Sequence, residues 1–256
     1  VRKCLLANLS DINAMGGVPR LAFFCLGASP KWDDAVYASI GAAVRALESA
    51  HGFTVAGGDT TSVRGGSFFA FTVLGQVTGR PLLRSAARPG HRVYVSGTLG
   101  GSAAWLARGD APADGALERA HLDPAPPLTL GPALAALCRP GSPVAAIDIS
   151  DGLSSEAWHL ARRSGCALVL NAEDIPVHPA LAAFPGAQAR EWALHGGEEY
   201  QLLFTGAFTD RELAALRRHA DITDIGEVAD GEGVLLRDAA GVAPLSARGY
   251  VHGGGE

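Results

Sequence analysis

The chain has 256 residues, 48% of them hydrophobic, and carries 21 Lys+Arg against 26 Asp+Glu for a formal charge of −5. At this length a single core has nearly stopped growing, so the composition describes a soluble globular protein of one large or two unequal domains and excludes a disordered or coiled-coil chain. The mildly acidic total excludes the basic face that a nucleic-acid binder needs, though not phosphate ligands held through metals.

Residues 1–15 contain no helix breaker before Met15-Gly16-Gly17, which predicts a helix ended by glycine with Asp11 inside it. Residues 21–26 read as a buried strand. Val36, Ile40, Val44 and Leu47 recur on one face and predict a helix over 33–50, capped by Asp33 and Asp34. Residues 53–56 predict a short strand running into a turn, Gly57-Gly58-Asp59-Thr60-Thr61, and residues 67–77 a strand with too little alternation to face solvent. This first half reads βαββ. The Arg-dotted, turn-rich stretch 78–90 marks a domain crossing, which divides the chain into 1–79 and 80–256.

Alternation then resumes. A strand at 93–96 leads through a glycine turn into a helix from about Ser102, and the Pro- and Ala-rich stretch 109–127 reads as irregular around one short helix. A strand at 144–149 feeds Ser150-Asp151-Gly152 and a helix whose Leu153, Ala157, Leu160 and Ala161 share a face. Beyond it come a strand at 167–170, one or two short helices, a strand at 200–205, a helix over 209–219 and closing strands near Ile225 and Val234. The fold class is therefore α/β. No run approaches the ~18 apolar residues that span a bilayer, and no charged-then-apolar leader opens the chain, so a cytoplasmic protein with no membrane or nucleic-acid partner is expected. Cys4, Cys25, Cys138 and Cys166 show no CxxC spacing and read as buried free thiols.

Several chemistries are absent. With only Lys3 and Lys31 in the chain, neither after a glycine, no P-loop can form, and neither an H-E-x-x-H nor a G-x-S-x-G frame occurs. The eight histidines lack metal spacing, and His195 reads as a surface or packed residue. What stands out is a set of acids beside glycine or a small hydroxyl residue: Asp11, Asp59, Asp148 and Asp151. Period-2 alternation puts Asp148 and Ser150 on one strand face with Ile147 and Ile149 opposite, and an acid in so apolar a strand costs several kcal/mol unless paired or bound to metal. Asp151 falls where it either caps the next helix or joins Asp148. Paired glycines before Asp59 allow a bulky anion to approach, and the acid with its threonines offers hard oxygen ligands of the kind Mg²⁺ takes. Ser96-Gly97-Thr98-Leu99-Gly100-Gly101-Ser102 opens a helix and could hold an anion. Gly196-Gly197-Glu198-Glu199-Tyr200 alone reads as a polar turn. Nineteen of the 21 basic residues are arginine, and of the cluster Arg64, Arg80, Arg84, Arg88 and Arg92 one or two could grip a polyphosphate. Together these residues suggest an acid-rich, Mg²⁺-bridged site for a phosphorylated ligand.

The ordered set Asn8-Leu9-Ser10-Asp11 with Ala14-Met15-Gly16, Gly57-Gly58-Asp59-Thr60-Thr61, Ser96-Gly97-Thr98-Leu99-Gly100, Ala146 to Leu153 and Gly196-Gly197-Glu198-Glu199-Tyr200 resembles the motifs of thiamine-monophosphate kinases over nearly the whole chain. These kinases share a superfamily with aminoimidazole ribonucleotide synthetase, selenophosphate synthetase and the maturation protein HypE. The resemblance implies an α+β sandwich type of α/β fold in two domains, the first pairing across a homodimer, with ATP between the domains. It implies Mg²⁺ ligands at Asp11, Asp59, Asp148 and Asp151, ATP contacts at Gly58, Asp59, Arg84 and Ser150, and contacts to thiamine monophosphate at Glu198 and Tyr250. No residue is assigned as catalytic acid, base or nucleophile. The family's Gly-Gly-Glu-Asp-Tyr-Glu is here Gly-Gly-Glu-Glu-Tyr-Gln, and its closing His-Phe is His252-Gly253. The family pattern also implies an acidic Asp-Asp-Ala motif and a Thr-Thr-Asp strand ahead of Val1. Without them the first domain is incomplete and residues 1–256 alone are expected to be nearly inactive. Two alternatives stay open at this point: a sister ATP-dependent enzyme acting on another substrate, and a non-catalytic nucleotide-binding remnant.

Overall fold

A computed structural model describes residues 1–109 and 115–250. Two sheets of unequal size organise it. In the smaller, β1 (Val18–Ala28) lies between β2 (Thr54–Ser62), which runs parallel to it, and β3 (Phe68–Gln76), which runs antiparallel. Helices α1 (Arg2–Ala14) and α2 (Asp34–His51) join them. Helix α2 starts where the Asp33 carboxylate accepts from the Val36 amide at 3.1 Å and stops at Gly52, whose φ of 69° ends the helical path. Leu5, Leu6 and Leu9 of α1 pack with Ala22, Leu47 and Phe53 on one side of this sheet.

Its other side is bare. Leu21 pairs with Leu74, Phe23 with Thr72, and Gly27 with Phe68, and the apolar members of this face are 39–50% exposed. Neither β1 nor β3 is therefore buried on both sides as its composition suggested. The alternation exists in burial, where Phe69, Phe71 and Val73 face inward, but apolar residues occupy both sides and hide it in the sequence. A second correction concerns residues 57–61. They form no turn; β2 continues through them after a bulge that shifts its register between Ala22 and Phe23 of β1. Gly58 permits this, because a Cβ there would sit 1.8 Å from the Phe24 carbonyl oxygen.

The larger sheet holds seven strands in the order β10-β9-β6-β8-β4-β7-β5. They are β4 (Arg92–Ser96), β5 (Ala145–Asp148), β6 (Ala167–Asn171), β7 (Leu202–Gly206), β8 (Ile222–Ala229), β9 (Gly233–Asp238) and β10 (Gly241–Pro244). All pairings are antiparallel except β6 with β9. Each face carries its own core. Val93, Val95, Ile147, Ile149 and Leu203 pack under α6 (Leu153–Ser164), while Tyr94, Ala146, Leu202 and Phe204 pack under α5 (Leu130–Leu137). Helix α5 and strand β10 have no counterpart among the predicted elements; a Pro inside an eight-residue helix masked the first. The other helices are α3 (Gly101–Ala107), α4 (Gly115–Leu122), α7 (Gly186–His195) and α8 (Asp210–Leu216), the last opened by a Thr209–Glu212 capping box.

The sheets are joined through α1, which packs against both β3 and β5. Among the described residues no helix is long and apolar enough to cross a membrane. All four cysteines are free, yet only Cys166 is buried; Cys25 is exposed on the bare face.

Candidate active site

Three segments far apart in sequence meet at one cleft of about 970 Å³: the turn after β5, the loop before β7 and the segment after β10. Ser150, Asp151, Glu198, Tyr200, Arg248 and Tyr250 line it, with an apolar wall from Ala103, Leu106 and Ala107 of α3.

The acids come from two elements. Asp148 ends β5 on the face opposite Ile147, where it is only 4% exposed and meets α1. There Ser10 Oγ donates to its Oδ2 at 2.7 Å. One hydroxyl does not offset such burial, which holds the Asp148 carboxyl above the usual range against the opposing pull of Ser10 and Arg84. Asp11 is the next residue on α1. Burial, with the charge of Asp148 adding to it, pushes Asp11 up to about 6, again opposed by Arg84. Asp151 also acts on Asp148. Asp11, Asp148, Asp151 and the exposed Arg84 thus share one electrostatic neighbourhood.

Asp59 does not join them in this chain. It pairs in register with Cys25, on the bare face of the small sheet, and its Oδ1 accepts from the Thr60 amide at 2.9 Å. Gly58, its neighbour on β2, lies against Phe24. Among the described residues no three His, Cys, Asp or Glu side chains are grouped so as to hold an ion by themselves. The gathered donors are hard carboxylate oxygens, a set that Mg²⁺ completes with phosphate oxygens and water rather than with a protein-only cage.

Asp151 does not cap α6. The helix starts behind Gly152 with no side-chain cap, and Glu156 reaches back instead. Its Oε1 accepts from the Asp151 amide at 3.0 Å and from Ser150 Oγ at 3.3 Å, so a residue only 2% exposed shapes the turn that carries both. Burial pushes Glu156 up to about 7, and Asp151 and Asp148 add to this.

The loop before β7 is more than a polar turn. A Cβ on Gly197 would lie 2.4 Å from the Ser150 carbonyl oxygen, so only glycine lets the two loops touch. The Glu198 amide donates to that oxygen at 2.7 Å and the Tyr200 amide to the Ile149 carbonyl at 2.8 Å. Glu198 and Tyr200 hold φ values of 63° and 53°, a left-handed conformation that costs of order 1–3 kcal/mol at a residue with a side chain. Glu198 borders the cleft, and its Oε2 lies 2.9 Å from Lys3 Nζ and 3.5 Å from His121 Nδ1, neither of which lines it. Glu199 turns inward to 6% exposure, and its Oε1 accepts from the amides of Gly100 at 2.9 Å and Ser102 at 3.3 Å. The amides of residues 96–102 that could have held an anion are thus taken by the chain's own Glu199 carboxyl group. Burial pushes Glu199 up to about 8, against the two amide bonds.

Tyr250 is 68% exposed at the rim, and its amide donates to the Asp151 carbonyl at 3.0 Å. Val251, His252 and Gly253 lie outside the described residues. His195, expected to be surface or packed, is packed between Ser154 and Arg248 with its side chain 9% exposed, and it also borders the cleft.

Residues 2–77 match the family model of the AIR synthase related protein, N-terminal domain. The thiamine-monophosphate kinase of Escherichia coli (strain K12) is 36% identical over 98% of this chain and 78% of its own length; that of Bacillus subtilis (strain 168) is 31% identical over 98% and 80%. The chain belongs to the thiamine-monophosphate kinase family. A solved family structure, AaThiL complexed with AMPPCP and TMP, superposes with a TM-score of 0.81 at 28% identity, over 98% of this chain and 81% of that one. Within this kinase fold the residues missed from sequence are Ser10, Glu156, Glu199, Lys3 and His121. Each acts through a partner remote in sequence or across a turn, and no spacing rule could have paired them.

Proposed function

We propose that this protein transfers a phosphoryl group from ATP to thiamine monophosphate, giving ADP and thiamine diphosphate, and that the cleft at Ser150, Glu198 and Tyr250 receives the acceptor. The observation that carries this is the meeting, in a member of this kinase family, of three motif segments at one cleft beside a crowd of carboxylates. The nucleophile is a phosphate oxygen. A phosphate monoester loses its second proton near pH 6, so the acceptor is already anionic at neutral pH and needs no general base. The barrier is repulsion between two polyanions. Mg²⁺ held by Asp11, Asp148 and Asp151 would screen that repulsion and polarise the transferred group. Arg84, whose charge reaches Asp11 and Asp148, is assigned with Ser150 to the ATP phosphates.

Thiamine monophosphate joins a cationic thiazolium to an aminopyrimidine. Tyr250 offers an aromatic face, α3 an apolar wall, and Glu198 a carboxylate that accepts from the amino group. We assign the bare face of the small sheet to a homodimer contact, since Leu21, Phe23, Phe68 and Leu74 form an apolar patch of the kind that pairs with a second copy. A role for Gly58 and Asp59 at ATP and Mg²⁺ then calls on that assembly, because both sit on β2 apart from the other acids. We divide the protein into domains at 79/80 and place it in the cytoplasm.

Because residues 1–256 alone are expected to be nearly inactive, the direct test is formation of thiamine diphosphate by the full-length gene product, requiring both ATP and Mg²⁺. Tyr250→Ala and Glu198→Gln are each expected to raise KM for thiamine monophosphate several-fold, roughly, with little change for ATP. Equal weakening of both substrates would move the acceptor site elsewhere.

A further inference from the structure

Beyond the acids, the cleft has a wall whose fastening no step of the transfer uses. After β10 the chain crosses α6 as a strap of six residues, 245–250. Its near end is tied by the Leu245 amide to the Val234 carbonyl at 2.8 Å and by Trp158 Nε1 to the Leu245 carbonyl at 2.6 Å. Its far end is tied by the Tyr250 amide to the Asp151 carbonyl. Gly249 between them lies so close that a Cβ would stand 2.3 Å from the same oxygen.

Arg248 is the clasp. Its guanidinium pairs with both carboxylate oxygens of Glu191 at 3.0 Å, and its Nη2 also lies 2.8 Å from His195 Nε2. Arginine can only donate, so Nε2 must accept and the imidazole must be neutral with its proton on Nδ1. That proton points at Ser154 Oγ, 2.8 Å away, which also accepts from the Arg248 amide at 3.4 Å. Ser154 is fully buried on α6, while Glu191 and His195 end α7. One arginine therefore ties the strap to two helices by side chain and main chain together, and it fixes the tautomer of a cleft-lining histidine.

An exposed ion pair alone would contribute little. Here the pair is bidentate and continues into a buried hydroxyl, which makes the strap's position specific rather than merely favourable. We propose that Arg248 and His195 are positioning residues for the acceptor substrate: through Ser154 and Glu191 they hold the strap so that Tyr250 is set at the cleft before substrate arrives. This rests on the cleft being the thiamine monophosphate site.

The test uses the full-length wild-type gene product and, in it, Arg248→Met, Arg248→Lys and His195→Phe, with two readouts: kinetics for both substrates and amide hydrogen exchange without substrate. In Arg248→Met the Tyr250 amide is expected to exchange about ten-fold faster while amides in α6 stay protected. KM for thiamine monophosphate is expected to rise about five-fold or more, with kcat and KM for ATP within about two-fold, as lost preorganisation predicts. Arg248→Lys should recover part of both effects, and His195→Phe should match Arg248→Met in direction. Faster exchange with unchanged KM would overturn the proposal, since the strap would then serve nothing. Raised KM with unchanged exchange would overturn it too, because Arg248 would be touching substrate directly. A wild-type protein that neither binds nor phosphorylates thiamine monophosphate would overturn the function itself, an outcome separate from any variant.

Discussion

Two strand-turn-helix units of the large sheet, β4 into α3 and β5 into α6, invite comparison. Both leave a strand through glycine and a small hydroxyl residue, and either could hold an anion at a helix start. The first is filled from within: Glu199 enters it and takes two amide hydrogen bonds on one oxygen. The second gathers acids that raise one another's pKa, Asp148 acting on Asp11 and Asp151 on Asp148, with Glu156 bracing its backbone from behind and the cleft in front. Asp148 and Glu199 are almost equally buried, at 4% and 6% exposure. A buried carboxylate is thus structural where the backbone satisfies it. At Asp148, where Asp151 is near and a serine hydroxyl takes the place of the two amides, we propose a cation-binding role instead.

The comparison breaks most sharply at Asp148. Asp148→Asn keeps the shape and the Ser10 contact while removing one charge, so thiamine diphosphate formation is expected to fall by roughly 10²-fold or more. The melting temperature should hold or rise as carboxylate repulsion is relieved. Unchanged turnover would sink the assignment of this turn to metal and phosphate. Glu156→Ala should show a smaller loss, about ten-fold in kcat, because the Ser150-Asp151 turn loses its brace while its acids remain; steady-state kinetics with calorimetry separates this from unfolding.

The first unit should respond to pH rather than to substrate. Glu199 sits near 8 in the folded protein against an ordinary 4.5, so its stabilising contribution is complete below about 4.5 and is lost as pH rises through 8. Glu199→Gln still accepts from Gly100 and Ser102 but cannot ionise. Melting curves from pH 5 to 8.5 should therefore fall more steeply for wild type than for the variant, with the variant the more stable at the alkaline end. Parallel curves would contradict a protonated buried acid. The smallest effect belongs to Lys3→Met. Glu198 loses its ion pair there, and because that pair is partly exposed, KM for thiamine monophosphate should rise only about two- to three-fold.

Much of the architecture was legible because local signals were strong. The apolar face of α2, the Asp33 cap and the alternation of Ile147 and Ile149 around Asp148 depend on neighbours within a few residues, and side-chain direction follows from helix or strand period alone. Asp148 could be singled out in the same way, since an acid in an apolar strand is costly wherever the strand goes, whereas Asp11 and Asp151 were marked only by a neighbouring serine or glycine, a signal that marked Asp59 equally. The bulged path of β2 through Gly58 and Asp59, by contrast, depends on how close β1 comes. The inward turn of Glu199 depends on amides about a hundred residues upstream. Lys3 with Glu198, Ser10 with Asp148, and Arg248 with His195 all form when distant segments converge, and a one-dimensional pattern carries no information on which polar groups will be left facing each other. Sequence by itself determined which residues had to find a partner; tertiary structure decided which partner each one found.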